Sequence, residues 1–332
     1  MARPDLRLLL LALAACAAPS DASTSAATAA STAATTDASA TSTSSTSTTT
    51  TTAATTTTTT ASSSTSSTAT ASSSSSTTDA STTAATTGTV DPDDCSTNPI
   101  PWCTVDTKPA PNGVPTPPPG LGGCPSGMAR VDAFCIDRWE AALVEVLPGD
   151  TLAPWSPYQS PAGANVRSVS APGLVPQGYI TQVEALAACQ AAGKRLCTDG
   201  EWLRACRGAA DHIFPYGDML APGTCNDART CHPAIQYFET TADWIWSELG
   251  HPCLNQLPAG LALTGQSPGC VSDDGIFDMM GNLHEWTADP AGTFRGGYYV
   301  DTELNGPGCL YVTTAHAVNH WDYSTGFRCC AD

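Results

Sequence analysis

Hydrophobic and polar positions alternate with a helical period in only two stretches of this chain. Thr181 and Glu184 form a capping box ahead of Val183, Leu186 and Ala187, and Gly193 is a natural stop. Thr198 and Glu201 form a second, with Trp202 and Ala205 on one face and Gly208 after them. The pattern therefore predicts two helices joined by a tight link over Gly193 to Cys197. Elsewhere beyond residue 124, Gly, Pro and aromatic residues without helical spacing predict loops with a few short strands. No internal repeat is present.

Two further stretches lie ahead of these. Arg3 and Arg7 precede an apolar run from Leu8 to Ala15, the charged and apolar parts of an export signal. The run is far short of the ~20 apolar residues that span a bilayer. Leu13-Ala14-Ala15-Cys16 looks like a bacterial lipobox, so signal residues 1–15 are expected to be removed and Cys16 acylated. Residues 16–90 are almost entirely Ser, Thr and Ala; they cannot bury enough apolar surface to offset their conformational entropy. As a disordered coil they would form a tether reaching on the order of 45–50 Å from the anchor. Residues 91–123 are rich in Pro, Gly and Cys and read as a linker, with Cys95 and Cys103 in a small disulfide loop. The main domain is expected over 124–332, long enough for one buried core.

Charge and cysteine usage narrow the function classes. The formal net charge of -18 and the total of 13 Lys and Arg disfavour nucleic acid as a partner, since phosphate contacts need cations. Of 15 cysteines, setting aside Cys16 leaves 14, an even number able to form seven disulfides in an oxidising compartment. Zinc is disfavoured because no Cys-x2-Cys pair occurs. The chain also lacks a nucleophile elbow, a phosphate-binding loop and a His-Glu-x-x-His segment.

Four motifs follow in a fixed order: Gly193-Lys194-Arg195-Leu196-Cys197-Thr198 running into Glu201-Trp202; Gly275 to Trp286 (GIFDMMGNLHEW); Arg295-Gly296-Gly297; and Gly326-Phe327-Arg328-Cys329-Cys330. Together they resemble the formylglycine-generating enzyme, or sulfatase-modifying factor, family. The resemblance implies an α+β, C-type lectin-like fold: two helices, a small antiparallel sheet, much ordered loop and several disulfides. It implies bonds from Cys189 to Cys329 and from Cys206 to Cys309. Cys124 with Cys135 would close the entry hairpin, and Cys197 would reach Cys330. Cys225 with Cys231, and Cys253 with Cys270, are expected as local pairs.

The resemblance also implies structural calcium, a hard cation that prefers oxygen ligands, at Asn282 and Glu285, with Asn226 in a second calcium loop. Family enzymes bind Cu(I) through two cysteines five positions apart and oxidise a sulfatase cysteine to formylglycine. Soft thiolates are required for that ion, but the two positions fall here on Asp301 and Gly306. Copper is accordingly not expected. His316 and His320, four apart, and His284 are read as hydrogen-bonding or packed residues, with non-haem iron near Asp301 left open. Arg295 and Arg328 are expected to pair with buried carboxylates.

The reading that follows is a lipid-anchored envelope protein, at the outer membrane or cell surface. It displays a non-catalytic domain of this type as a binding or structural module. Its partners would be the membrane, through the anchor alone, and a protein or carbohydrate ligand. The alternative is an oxidoreductase of the family with a non-standard metal site, acting on protein cysteine or another substrate.

Overall fold

A computed structural model describes residues 95–314 and 316–332. The expected signal segment, Cys16, the tether to residue 90 and linker residues 91–94 lie outside the described residues. Eleven short strands and three helices are described. β1 (Met128–Val131) and β2 (Phe134–Asp137) form a hairpin, and β3 (Ala142–Leu147), β4 (Thr151–Pro154) and β5 (Val166–Val169) form a three-stranded antiparallel sheet. Then come α1 (Gln182–Ala191), β6 (Arg195–Leu196), α2 (Asp199–Arg207) and α3 (Pro233–Phe238). The chain finishes with β7 (His284–Trp286), β8 (Phe294–Arg295), β9 (Val312–Thr313), β10 (Thr325–Phe327) and β11 (Cys329–Ala331).

Both expected capping boxes close. Thr181 accepts from Glu184 N and Thr198 from Glu201 N, while each glutamate reaches back to the cap. The buried face of α1 differs from the expected one: Val183, Leu186 and Ala187 point outward, whereas Gln182, Ala185, Ala188 and Cys189 are buried. Small side chains let α1 lie close to β5, and the buried Gln182 donates from Nε2 to the carbonyls of Thr287 and Asp289 at 2.7 and 2.6 Å. Period alone favoured the bulkier residues; close packing selected the smaller ones. Helix α3 carries no periodic signal in its six residues, and it starts on Pro233 at the first turn with the His232 ring capping Ala234 N.

The remaining strands make two four-stranded sheets, in the orders β1-β2-β11-β6 and β10-β7-β8-β9. All pairs are antiparallel except β10 with β7. The segment Thr325–Ala331 thus crosses from one sheet to the other, with Arg328 at the crossing. Trp286 and Phe327 pack with Leu143, Ile180 and Ala185 on one side of it. Trp202 packs with Ile136 and Met279 on the other. A third cluster is aromatic, built around Tyr179, Tyr298, Tyr299 and Tyr323.

Seven disulfides brace these layers. Cys189–Cys329, Cys206–Cys309, Cys124–Cys135 and Cys197–Cys330 pair as the sequence led us to expect. The other three do not. Cys95 bonds Cys231, Cys103 bonds Cys253 and Cys225 bonds Cys270, in place of Cys95 with Cys103, Cys225 with Cys231 and Cys253 with Cys270. The reason is the course of residues 95–123, which read as linker but lie along the domain. Ile100 and Cys103 are buried with Cys253 and Leu257, and the Tyr237 hydroxyl donates to Cys103 O at 2.7 Å. Asn112 exchanges two 2.8 Å hydrogen bonds with the backbone of Val175. Burial of this strap brings Cys95 and Cys103 to distant partners, which leaves Cys225 and Cys270 to meet beside Phe214 and Met280.

Candidate functional site

The Gly281-Asn282 step begins the site. Both residues take positive φ, 76° and 57°, and a Cβ on Gly281 would lie 2.2 Å from the Asn226 carbonyl. Glycine is required there, and Asn tolerates the left-handed region that follows. This turn points the Asn282 amide into the domain. Its Nδ2 donates to Glu140 Oε2 at 2.5 Å, and its Oδ1 accepts from Ala262 N and from Asn226 Nδ2, both at 2.9 Å. Glu140 also accepts from Leu283 N at 3.1 Å.

Glu285, on β7, is turned elsewhere. Its carboxylate takes Arg328 Nε and Nη2, each at 2.5 Å, and the Trp202 indole N–H at 2.7 Å. The Arg328 side chain is fully buried and donates further to the carbonyls of Asp137 and Phe277, both at 3.0 Å. The guanidinium therefore ties β7, β2 and the GIFDMM loop to one point. Charge-assisted, bidentate pairing of this kind is the strong form of an ion pair. Two more acids face it. Burial pushes Glu140 well above the usual carboxylate range, with Asp278 and Glu285 adding to the shift, and burial raises Asp278 to about 6. Arg328 rises above its ordinary value because Glu285 outweighs the cost of burial.

Asn282 and Asn226 meet through a hydrogen bond between their amides; Asn226 Nδ2 also donates to Gly260 O, and Asn282 Nδ2 to Glu140. Glu285 joins neither; its cation is Arg328. An oxygen shell for calcium needs carboxylate and carbonyl oxygens free to converge, and here the Glu285 carboxylate holds Arg328, away from the Asn282–Asn226 pair. Arg295 pairs with Asp199 at 2.5 and 2.7 Å, but that carboxylate is part-exposed at the start of α2, contrary to the expected buried partner. Arg328 has the buried partner expected of it.

The copper positions are equally committed. Asp301 Oδ1 accepts from the N–H groups of Glu303 and Leu304, both at 3.0 Å, and Oδ2 accepts from the Tyr311 hydroxyl at 3.1 Å. Gly306 takes φ 115° and donates its N–H to Glu303 O. The next cysteine, Cys309, is bonded to Cys206, and every cysteine among the described residues is in a disulfide. The donors here are a capped loop and a glycine, which do not fit Cu(I). Beside Asp301 lies a cleft of about 220 Å³ lined by Leu220, Asp227, Val300, Thr302 and Glu303.

His316 and His320 stack face to face with centroids 4.0 Å apart, and His320 Nε2 lies 3.2 Å from Asp322 Oδ2. Stacked rings point their nitrogens sideways rather than toward a shared point. Among the described residues no group of three His, Cys, Asp or Glu is arranged for a metal, and Asp301 bonds neither histidine. His284 is buried among Phe294, Tyr298 and Tyr311, with Nδ1 lacking a partner. Burial pushes it down to about 3; Asp322 opposes the shift and His316 and His320 add to it. His232 falls to about 4, again chiefly by burial.

A pH dependence follows. Between pH 6.5, where these histidines titrate in the unfolded chain, and their folded values, the unfolded state binds more protons. Stability is therefore full above about 6.5 and is lost as pH falls toward 4. Asp278 and Glu140, raised in the fold, act in the opposite sense, since the folded state holds their protons more tightly. In urea unfolding across pH 4–7, His284→Gln should reduce the loss of stability on acidification and Asp278→Asn should increase it. A profile unchanged by His284→Gln would contradict the assignment.

Glu140 and Asp278 were absent from the expected site. Glu140 had a signal, being a lone charge inside the apolar run Trp139 to Val144. Asp278 had none, because in GIFDMM it reads as a turn acid.

Comparison with known proteins accords with this geometry. Residues 129–331 match the sulfatase-modifying factor enzyme 1-like domain. A formylglycine-generating enzyme from Bos taurus is 28% identical over 212 residues, covering 54% of this chain and 51% of that protein. The "Inactive C-alpha-formylglycine-generating enzyme 2" of Mus musculus is 26% identical over 168 residues, covering 47% and 49%. The chain thus spans about half the length of these relatives. Among solved structures, PvdO from Pseudomonas aeruginosa aligns over 60% of this chain and 80% of its own at 15% identity, with a TM-score of 0.37. With its matched region running from β1 to β11 and carrying all four motifs, the chain belongs to the sulfatase-modifying factor enzyme 1-like domain family.

Proposed function

We propose that this chain is a non-catalytic member of its family, an exported lipoprotein whose disulfide-braced domain is held away from the membrane as a binding or structural module. The observation that carries this reading is the commitment of Asp301: where family enzymes place a copper thiolate, both oxygens hold a loop and a tyrosine hydroxyl. With Gly306 at the second position and Cys309 bonded to Cys206, oxidation of a substrate cysteine has no soft ligands to work through. Seven disulfides support an oxidising compartment. The export signal and Cys16 supply the anchor in this reading, and residues 17–90 the tether.

The test is incubation of the full chain with Cu(I), oxygen and a cysteine-bearing sulfatase peptide. No aldehyde is expected above a protein-free control. Aldehyde formation by the native protein, lost in Asp301→Asn, would replace this reading with the oxidoreductase one. The lipid anchor is checked separately by mass spectrometry of the exported protein, where an unacylated mature N-terminus would remove it.

A further inference from the structure

Arg229 carries a buried positive charge with no anion to answer it. The residue is 8% exposed and its backbone N–H donates to Tyr299 O. Its guanidinium gives Nη2 to the Gln236 side-chain carbonyl, while Nε and Nη1, both out of solvent, have no hydrogen-bond partner. Arginine does not shed its proton in proteins, and burying an unpaired charge is costly. The two other buried arginines each have a carboxylate, Glu285 for Arg328 and Asp199 for Arg295. Among the described residues Arg229 forms no ion pair with an acid.

Its surroundings cannot neutralise it. The rings of Tyr298, Tyr299 and Tyr323 pack on one another with centroids 5.6, 6.0 and 6.2 Å apart and act on the Arg229 charge; burial raises all three above their ordinary values, so they stay un-ionised. His232 stays neutral. Its Nδ1 accepts from Ala234 N, so Nε2 carries the proton and donates to the Tyr323 oxygen at 3.0 Å. The Tyr323 hydroxyl is then free to donate onward, and its ring centroid lies 6.0 Å from that of Tyr298. Tyr299 donates to Asn255 Oδ1 at 3.0 Å. Asp322, a buried carboxylate that acts on all three phenols, is held by His320 and Ser324 rather than by Arg229, so the rings about the cation are neutral. Water in such a place supplies hydrogen bonds but no charge.

We propose that Arg229 is the binding site of a small monovalent anion, a halide of chloride size, held by Nε and Nη1 within the cage of Tyr298, Tyr299 and Tyr323. A halide accepts from guanidinium and phenol donors without directional demands, and it loses less on leaving water than a multiply charged oxyanion does. Its occupancy would couple the 225–239 segment to the Tyr298-Tyr299 turn and the Tyr323 turn.

The experiment is thermal unfolding of the full chain in sodium chloride at fixed ionic strength, with sodium gluconate as the balancing salt. A ligand bound only by the folded state raises the midpoint with its concentration. A rise of about 5 °C is expected once chloride is well above its dissociation constant, and Arg229→Gln should abolish it. Equal midpoints in chloride and gluconate, or a rise retained in the variant, would overturn the proposal. Should Arg229→Gln fail to fold, crystals of the natural chain grown in bromide decide the matter. An anomalous peak within hydrogen-bond reach of Arg229 Nε or Nη1 is expected, and its absence overturns the site.

Discussion

Replacing Cys189 and Cys329 together by alanine is expected to cost about 3 kcal/mol of stability, the same as the change at Cys124 and Cys135, although the first pair lies 140 residues apart and the second 11. Cys197–Cys330 runs parallel to Cys189–Cys329 and already closes the unfolded chain. The loop that the Cys189–Cys329 bond adds is then only about ten residues long. Both cystines are buried at Cys135, Cys189 and Cys329, so both variants also lose packing. Much of this domain is loop stapled by six such long or medium cross-links, rather than extended helix and sheet. Urea unfolding of the two double variants measures the two losses directly. A loss about 2 kcal/mol larger at Cys189 and Cys329 would mean that each bond acts on its full sequence loop, independent of its neighbour.

The second large effect is expected at the junction of the two sheets. Arg328→Met should destabilise the domain by about 3–5 kcal/mol, the cost of leaving a buried carboxylate without its cation. The penalty is sharpened by Glu140 and Asp278, which then face Glu285 with no positive charge among them. Adding Glu285→Met to Arg328→Met removes the stranded carboxylate and should recover part of the loss. The carbonyls of Asp137 and Phe277 stay unpaired in either variant, so recovery is incomplete. Single and double variants compared by urea unfolding give the coupling between the two residues. Additive losses would show that the pair does not act as a unit.

The helix caps were legible in the sequence because a capping box is local: four residues contain donor and acceptor alike. The pairings of Cys189, Cys206 and Cys197 were legible through the family resemblance, which sets the cysteines of the two helices against Cys329 and Cys309 and places Cys197 beside a family position that faces that of Cys330. The strap at 95–123 was not, since a Pro-rich stretch looks the same whether it is free or laid on a surface; only its contacts with Tyr237, Val175 and Leu257 separate the two. Three cystine pairings failed with it. Arg328 was correctly expected to meet a buried acid, but its partner Glu285 had been placed in a calcium loop. Sequence spacing put Asn282 and Glu285 three apart, while the left-handed turn at Asn282 sends the two side chains to different neighbours. Backbone handedness at one residue is beyond what a motif records. The same limit hid the cage around Arg229, whose members come from three separated segments.

The adjacent cysteines of β11 have a consequence for how the oxidised chain can be read. Neighbouring strand residues face opposite sides of a sheet, and here Cys329 takes Cys189 of α1 while Cys330 takes Cys197 beside β6. Sliding β11 by one position would send each thiol to the other's side. Pairing of Cys189 with Cys330 and Cys197 with Cys329 would therefore be the chemical record of a misaligned strand. A peptide map that separates these two isomers counts, molecule by molecule, how often the last sheet closes in its correct alignment.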